Sequence, residues 1–239
     1  MPTFVISGTR TGLGLENVRH LSQNPSNTIF ALVRSLTNAD ISALRAVQSA
    51  SQAKIHILEC DTSSEASISA LPSRIQEISP DVKIDVLINM AAILHSGSQN
   101  SLTLTSSALG SHITTNVMGP ALVTSALLPM LSPTAKILNI TSGLGSLQLL
   151  SDGTISPNST AYSISKAALN MLTVHQAKQL PKGMAVVCVD PGHCKTEMGG
   201  PNAVLEPSES ASGVQKIVEG LKPENSGKFL LYSGVELPW

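Results

Sequence analysis

The sequence predicts an α/β protein built on a doubly wound, parallel, seven-stranded sheet with helices on both faces. Three observations predict it. Short apolar runs alternate with longer stretches of helical periodicity along the chain, the rhythm of βαβ units. The composition is 42% hydrophobic, 13% charged and only 3% aromatic, so the core is aliphatic, which suits strands covered on both sides. A glycine-rich segment, Gly8-Thr-Arg-Thr-Gly12-Leu-Gly14, lies between the first apolar run and the first helical one.

The elements follow in order. Thr3–Ser7, Thr28–Val33, Lys54–Glu59, Ile84–Asn89, Lys136–Thr141, Ala185–Val189 and Lys228–Tyr232 are short and mostly rich in Val, Ile and Leu, and they read as strands. Leu13–Ser22, Ala39–Ser51 and Ala161–Gln179 carry helical spacing. Ser64–Ile78 does so with Pro72 near its middle, and Ser106–Leu131 with Gly119-Pro120 as an expected bend. Gly199–Ser212 is rich in Gly, Pro and Ser and reads as a loop, either a mobile lid or an ordinary surface connection.

Bulk properties exclude several function classes. The net charge of −1 leaves no electrostatic footprint for nucleic acid or an anionic membrane. Cys60, Cys188 and Cys194 are an odd number without close spacing, so neither a disulfide framework nor a metal site is expected. The N-terminus enters a strand at once, unlike a signal peptide. No apolar run reads as long enough to span a bilayer. A cytoplasmic location is the expectation.

The glycine segment fits a phosphate-binding turn. Glycine permits a tight turn and close backbone approach, and the following helix offers free N–H groups to a pyrophosphate. A purely structural turn has the same composition. At the end of the second strand stands Arg34, where a chain preferring NAD carries an acid. A guanidinium suits the extra 2′-phosphate of NADP, and Arg10 could add a second charge; each is otherwise a solvated surface residue. Tyr162 and Lys166 are four apart in a predicted helix and share a face. An ammonium beside a phenol lowers its pKa, which suits acid/base work. Ser142 and Thr141 are rival hydroxyls at the end of the fifth strand, and strand alternation lets only one face the site.

The chain sets in order the glycine turn, Asn89-Met-Ala-Ala92, Asn116-Val-Met-Gly119, Asn139-Ile-Thr-Ser142, Tyr162-x-x-x-Lys166 and Asp190-Pro-Gly-His-Cys-Lys-Thr196. This order resembles the short-chain dehydrogenase/reductase family over essentially the whole chain. Within it, Pro191–Gly200 and the ending Val235-Glu-Leu-Pro-Trp239 are most similar to carbonyl reductases of the C-factor and sniffer group.

The resemblance implies a Rossmann-type single domain over 1–239, with a cofactor half at about 1–120 and a catalytic half at about 121–239. It implies NADP(H)-dependent reduction of a ketone or aldehyde. Tyr162 would donate the proton, Ser142 would position the carbonyl, and Lys166 would lower the tyrosine pKa and hold the ribose. Asn116 would organise the long helix and a relay water. Gly8, Thr9, Arg10, Gly12, Leu13, Gly14 and Arg34 would hold the phosphates; Asp61, Thr62, Asn89 and Ala91 the adenosine; Pro191, Gly192, Cys194 and Thr196 the nicotinamide end. His193 would line the site. The partners implied are a small carbonyl substrate and a second copy of the chain, as a homodimer or homotetramer. The alternatives are a non-catalytic NADP-binding sensor or scaffold, and reduction of a C=N or C=C bond. Leu94–Leu104, Leu144–Asn158 and Gly199–Ser212 would set specificity.

Overall fold

A computed structural model describes residues 1–94, 100–156 and 159–239. The strands are β1 (Thr3–Ser7), β2 (Thr28–Val33), β3 (Lys54–Glu59), β4 (Ile84–Asn89), β5 (Leu131–Ile140), β6 (Ala185–Asp190) and β7 (Phe229–Leu231). They pair in the order β3-β2-β1-β4-β5-β6-β7, and every pair is parallel. The α-helices are α1 (Gly12–Leu21), α2 (Ser42–Ala50), α3 (Glu65–Ser69), α4 (Leu71–Ile78), α5 (Ser106–Ile113), α6 (Gly119–Leu127), α7 (Leu147–Ser151), α8 (Thr160–Gln179) and α9 (Pro207–Gly220).

Strand alternation feeds two cores. Phe4, Ile6, Ile29 and Ala31 face one layer together with Val18 of α1, Leu44 of α2 and Val214 of α9. Val5, Phe30 and Leu32 face the other, with Ile68 of α3, Leu71 of α4 and Leu127 of α6. Each fully buried side chain of this kind contributes ~1.5–3 kcal/mol. Strand order reverses between β1 and β4, which opens a crevice at the carboxyl ends of the strands, where open α/β sheets bind ligands.

Several expectations are corrected. The Gly199–Ser212 loop ends at Glu206, because Pro207 starts α9 in the first-turn position that suits proline. Ala211, Val214, Ile217 and Val218 form its buried stripe, which the intervening serines and glycine disguise. Pro72 divides Ser64–Ile78 into α3 and α4, opening the second helix rather than kinking one. β5 begins at Leu131, five residues early, with an irregular register against β4. The stretch Ser106–Met130 is long and apolar enough to cross a membrane by length and composition, contrary to the sequence expectation. It instead covers the sheet, with Val123 and Leu127 fully buried. Its expected bend is a π-helical turn at Thr114–Met118, just before Pro120. Proline has no N–H for the carbonyl four residues back, here that of Asn116.

Candidate active site

The crevice at the carboxyl ends of β1 and β4 is a cleft of about 1790 Å³, beyond the ~300–1,000 Å³ of a drug-sized pocket and roomy enough for a dinucleotide beside a second molecule. Its floor is the glycine turn. Gly8 has φ +72°, and a Cβ there would sit 2.7 Å from Ala91 Cα; a Cβ on Gly14 would sit 2.1 Å from the Gly8 carbonyl. Side chains at either position would force β1, α1 and the loop after β4 apart. Ser7 holds that loop in place, its hydroxyl accepting the Met90 and Ala91 N–H groups at 3.0 and 3.1 Å. Thr11, at the cap of α1, makes no side-chain cap bond, so the first N–H groups of the helix remain for an anion.

Arg10, Gly12, Leu13, Gly14, Arg34, Asp61, Thr62 and Ala91 line the cleft, as expected. Arg10 and Arg34 are exposed on its wall, and among the described residues neither is in an ion pair. Thr196 lines the opposite side, its Cγ2 3.6 Å from where a Cβ of residue 12 would lie.

Four expected binding residues, and the expected lining residue His193, do not line the cleft. Thr9 is fully buried and turns inward, its N–H and hydroxyl both donating to the Leu32 carbonyl at 3.1 and 3.0 Å. It ties the turn to β2. The Asn89 side chain is buried in the middle of the sheet, its amide donating to Asn139 Oδ1 at 2.9 Å and Thr124 Oγ1 at 3.2 Å. Gly192 and Cys194 stand behind Pro191, which alone of the three lines the cleft. Gly192 packs on Leu205 and Tyr232, and the Cys194 thiol donates to the Pro191 carbonyl at 3.2 Å. His193 bonds the Gly199 carbonyl through Nε2 at 2.7 Å, so it braces its loop instead of lining the site.

Above the floor, α8 presents Tyr162 and Lys166 to the cleft. The Ser142 hydroxyl accepts the Leu144 N–H at 3.2 Å and lies near enough to the Tyr162 phenol to favour its ionised form. Thr141 lines the cleft where Ser142 does not, but its hydroxyl is committed to Asn170 Oδ1 at 2.6 Å. Both residues follow the end of β5 at Ile140, so the hydrogen bond of Thr141, not strand alternation, leaves Ser142 as the hydroxyl near the phenol. Lys166 is 1% exposed. Its Nζ donates to the Ile140 carbonyl at 2.7 Å and lies 5.4 Å from the Tyr162 ring centre. Asn116 is fully buried; its side chain accepts from Ile93 N–H at 2.8 Å and donates to the Ile93 carbonyl and Ser165 Oγ, both at 3.0 Å. It thus locks the π-turn to the loop after β4 and to α8. His112 of α5 meets the Tyr162 ring edge-on at 6.4 Å.

Electrostatics at this cluster differ from the expectation. Burial pushes the Tyr162 phenol well above its ordinary value, the Asp190 carboxylate adds to that, and the Ser142 hydrogen bond opposes it. Burial brings Lys166 down to about 7, with Asp190 opposing. The expected lowering of the phenol by Lys166 is absent, because desolvation dominates and the ammonium is directed at Ile140. The phenol is therefore protonated at neutral pH and able to donate.

A family model described as short chain dehydrogenase matches residues 2–204. The chain belongs to the short chain dehydrogenase family. It is an oxidoreductase of that family, acting on a small molecule. It is 41% identical to the C-signal protein of Myxococcus xanthus over 160 residues, covering 65% of this chain and 93% of that protein. It resembles the NADPH-bound carbonyl reductase from chicken fatty liver with a TM-score of 0.91 and 29% identity, over 100% of this chain and 99% of the other. The carbonyl reductase Sniffer of Drosophila melanogaster gives 0.90 and 30%, over the whole of both chains.

Two residues of this short chain dehydrogenase escaped the sequence reading. Asp190 accepts N–H groups from Gly143 and Gly192, both at 2.9 Å. An acid closing a buried strand before Pro-Gly was its only signal. Ser146 is fully buried and donates to the Pro238 carbonyl at 2.8 Å, a contact between distant segments that no local pattern announces.

Proposed function

We propose that this oxidoreductase uses NADPH to reduce a ketone or aldehyde to an alcohol. The observation that carries the reading is the Tyr162 phenol on the cleft, one helical turn from Lys166 and near the Ser142 hydroxyl. The glycine floor fits a pyrophosphate, since Gly8 and Gly14 admit no Cβ. Arg34 fits a 2′-phosphate beside it, with Arg10 as a second charge. The chicken and Drosophila relatives, both carbonyl reductases by name, support the substrate class.

When bound, the nicotinamide would supply a hydride to the carbonyl carbon. Everything else falls to the chain. Ser142 donates a hydrogen bond to the carbonyl oxygen and fixes its direction. Tyr162 gives its proton to that oxygen as negative charge develops. Lys166 stands one turn behind, its Nζ 5.4 Å from the Tyr162 ring centre, to hold a ribose hydroxyl. Asn116 keeps α5, the π-turn and α8 in register, so that Tyr162 and Ser142 converge on one atom. Thr196 and Pro191 close the cleft opposite the glycine turn.

Following NADPH absorbance with a panel of aldehydes and ketones tests the reading. Carbonyl-dependent consumption with stoichiometric alcohol is expected. Tight NADPH binding with no consumption on any carbonyl would overturn it.

A further inference from the structure

Asp190 ends β6 with its carboxylate largely buried, and among the described residues it is in no ion pair. Its Oδ2 accepts the Gly143 N–H at 2.9 Å, and its Oδ1 accepts the Gly192 N–H at 2.9 Å. Its backbone carbonyl takes the Tyr232 N–H at 2.8 Å. Gly143 follows Ser142 directly, and a Cβ there would approach Asp190 Oδ2 to 3.0 Å and Ile155 Cδ1 to 2.7 Å. The glycine lets the carboxylate reach the turn that carries the serine. A buried carboxylate without a salt bridge is costly, and a neutral side chain could tie these loops together at lower cost. The charge itself calls for an explanation.

We propose that Asp190 is a positioning residue for proton delivery: it clamps the Ser142–Gly143 turn to the Pro191–Gly192 turn and sets a negative charge against Tyr162 and Lys166. The proposal rests on the reading of Tyr162 as proton donor. A nearby negative charge disfavours the phenolate and favours the ammonium. Asp190 accordingly adds to the upward shift of Tyr162 and resists the fall of Lys166. Among the described residues, the groups near Asp190 are Tyr162 and Lys166 from α8, His193 and Cys194 from its own loop, and the two glycine amides. Burial raises the Asp190 carboxyl above its ordinary value, and the two amides, Lys166 and His193 oppose that rise in favour of the ionised form. The clamp thus aims Ser142, and the charge keeps the proton on Tyr162 until the substrate oxygen takes it.

The test separates charge from scaffolding. The chain has two tyrosines, so in a Tyr232→Phe background phenolate absorbance reports Tyr162 alone. Asp190→Asn and Asp190→Ser are compared with that parent as apoprotein. Both are expected to ionise Tyr162 at lower pH, by roughly one unit for the loss of a neighbouring charge. The alkaline fall of the carbonyl reduction rate should move the same way, with NADPH affinity within about twofold. The serine variant also covers the case in which the asparagine variant fails to fold. An unmoved phenol titration and an unmoved pH–rate profile would overturn the proposal, even if stability or rate fell. Near-normal turnover in Tyr162→Phe would instead remove the parent reading, leaving the phenol titration to judge Asp190 by itself.

Discussion

Arg34 stands exposed on the cleft wall at the end of β2 and, among the described residues, has no acidic partner in an ion pair, so its charge is available to a ligand. Arg34→Asp is expected to weaken NADPH by roughly 10- to 100-fold, the ~1.5–3 kcal/mol of a hydrogen bond to a charged group, while NADH changes little. Fluorescence titration with both cofactors checks this, and equal losses would take Arg34 off the phosphate. The placement of Arg34, Tyr162 and Lys166 on the cleft was readable, because it follows from strand-end position and helical spacing. Thr9, Asn89 and Cys194 sit in equally suggestive positions, yet each side chain turns toward a backbone or side-chain partner within the fold. Rotamer direction of that kind is decided by tertiary neighbours and leaves no trace in spacing. The pKa of Tyr162 was misjudged for a related reason: the sequence places a lysine nearby but does not reveal how dry the pair is.

At the scale of elements, we propose that α7 and the turn before it wall the substrate side. Residues 235–239 pin this proposed wall. Ser146 Oγ donates to the Pro238 carbonyl at 2.8 Å and Gln148 N–H to the Trp239 carbonyl at 2.9 Å. Trp239 stacks on Phe229 of β7 with centroids 5.6 Å apart. Ser146 also caps α7 by accepting the Leu149 N–H at 3.1 Å. Ser146→Ala therefore loosens the wall at two points. It is expected to raise KM for the proposed carbonyl severalfold and leave the NADPH Kd unchanged; steady-state kinetics with paired binding titrations checks it, and an unaltered KM would contradict the tail's role. Of the elements, β1 to β4, β6 and α8 were legible from apolar runs and periodicity. The helix α9 was not, since its buried stripe is threaded through serines and glycine. The π-turn was legible only as a bend at Gly119-Pro120. Of the expected specificity segments, residues 95–99 and 157–158 lie outside the described residues.

Across the whole molecule, one sheet with a core on each face sets the stage for Lys166, whose burial has a global consequence. An unfolded lysine titrates near ~10.4, and Lys166 in the fold near about 7. Between these values the unfolded chain binds the extra proton, so stability rises with pH. Below about 7 both states are protonated and the full burial penalty remains. The buried thiols act oppositely, since burial raises Cys60 to about 11 and Cys188 to about 12, but only above the ordinary thiol range of ~8.5. The Tm of the apoprotein is therefore expected to climb from pH 7 to 8.5, and Lys166→Met to flatten that climb; equal slopes in both proteins would refute the assignment. The parallel topology and the switch point behind the cleft were readable in advance, because βαβ rhythm and the glycine turn constrain them together. The account's central claim concerns Tyr162. Replacing it with phenylalanine and measuring NADPH affinity and carbonyl turnover on the same preparation tests that claim most directly. Unchanged affinity with turnover reduced by ~10²–10⁴-fold, the usual worth of a general acid, is the predicted result; near-normal turnover would contradict it.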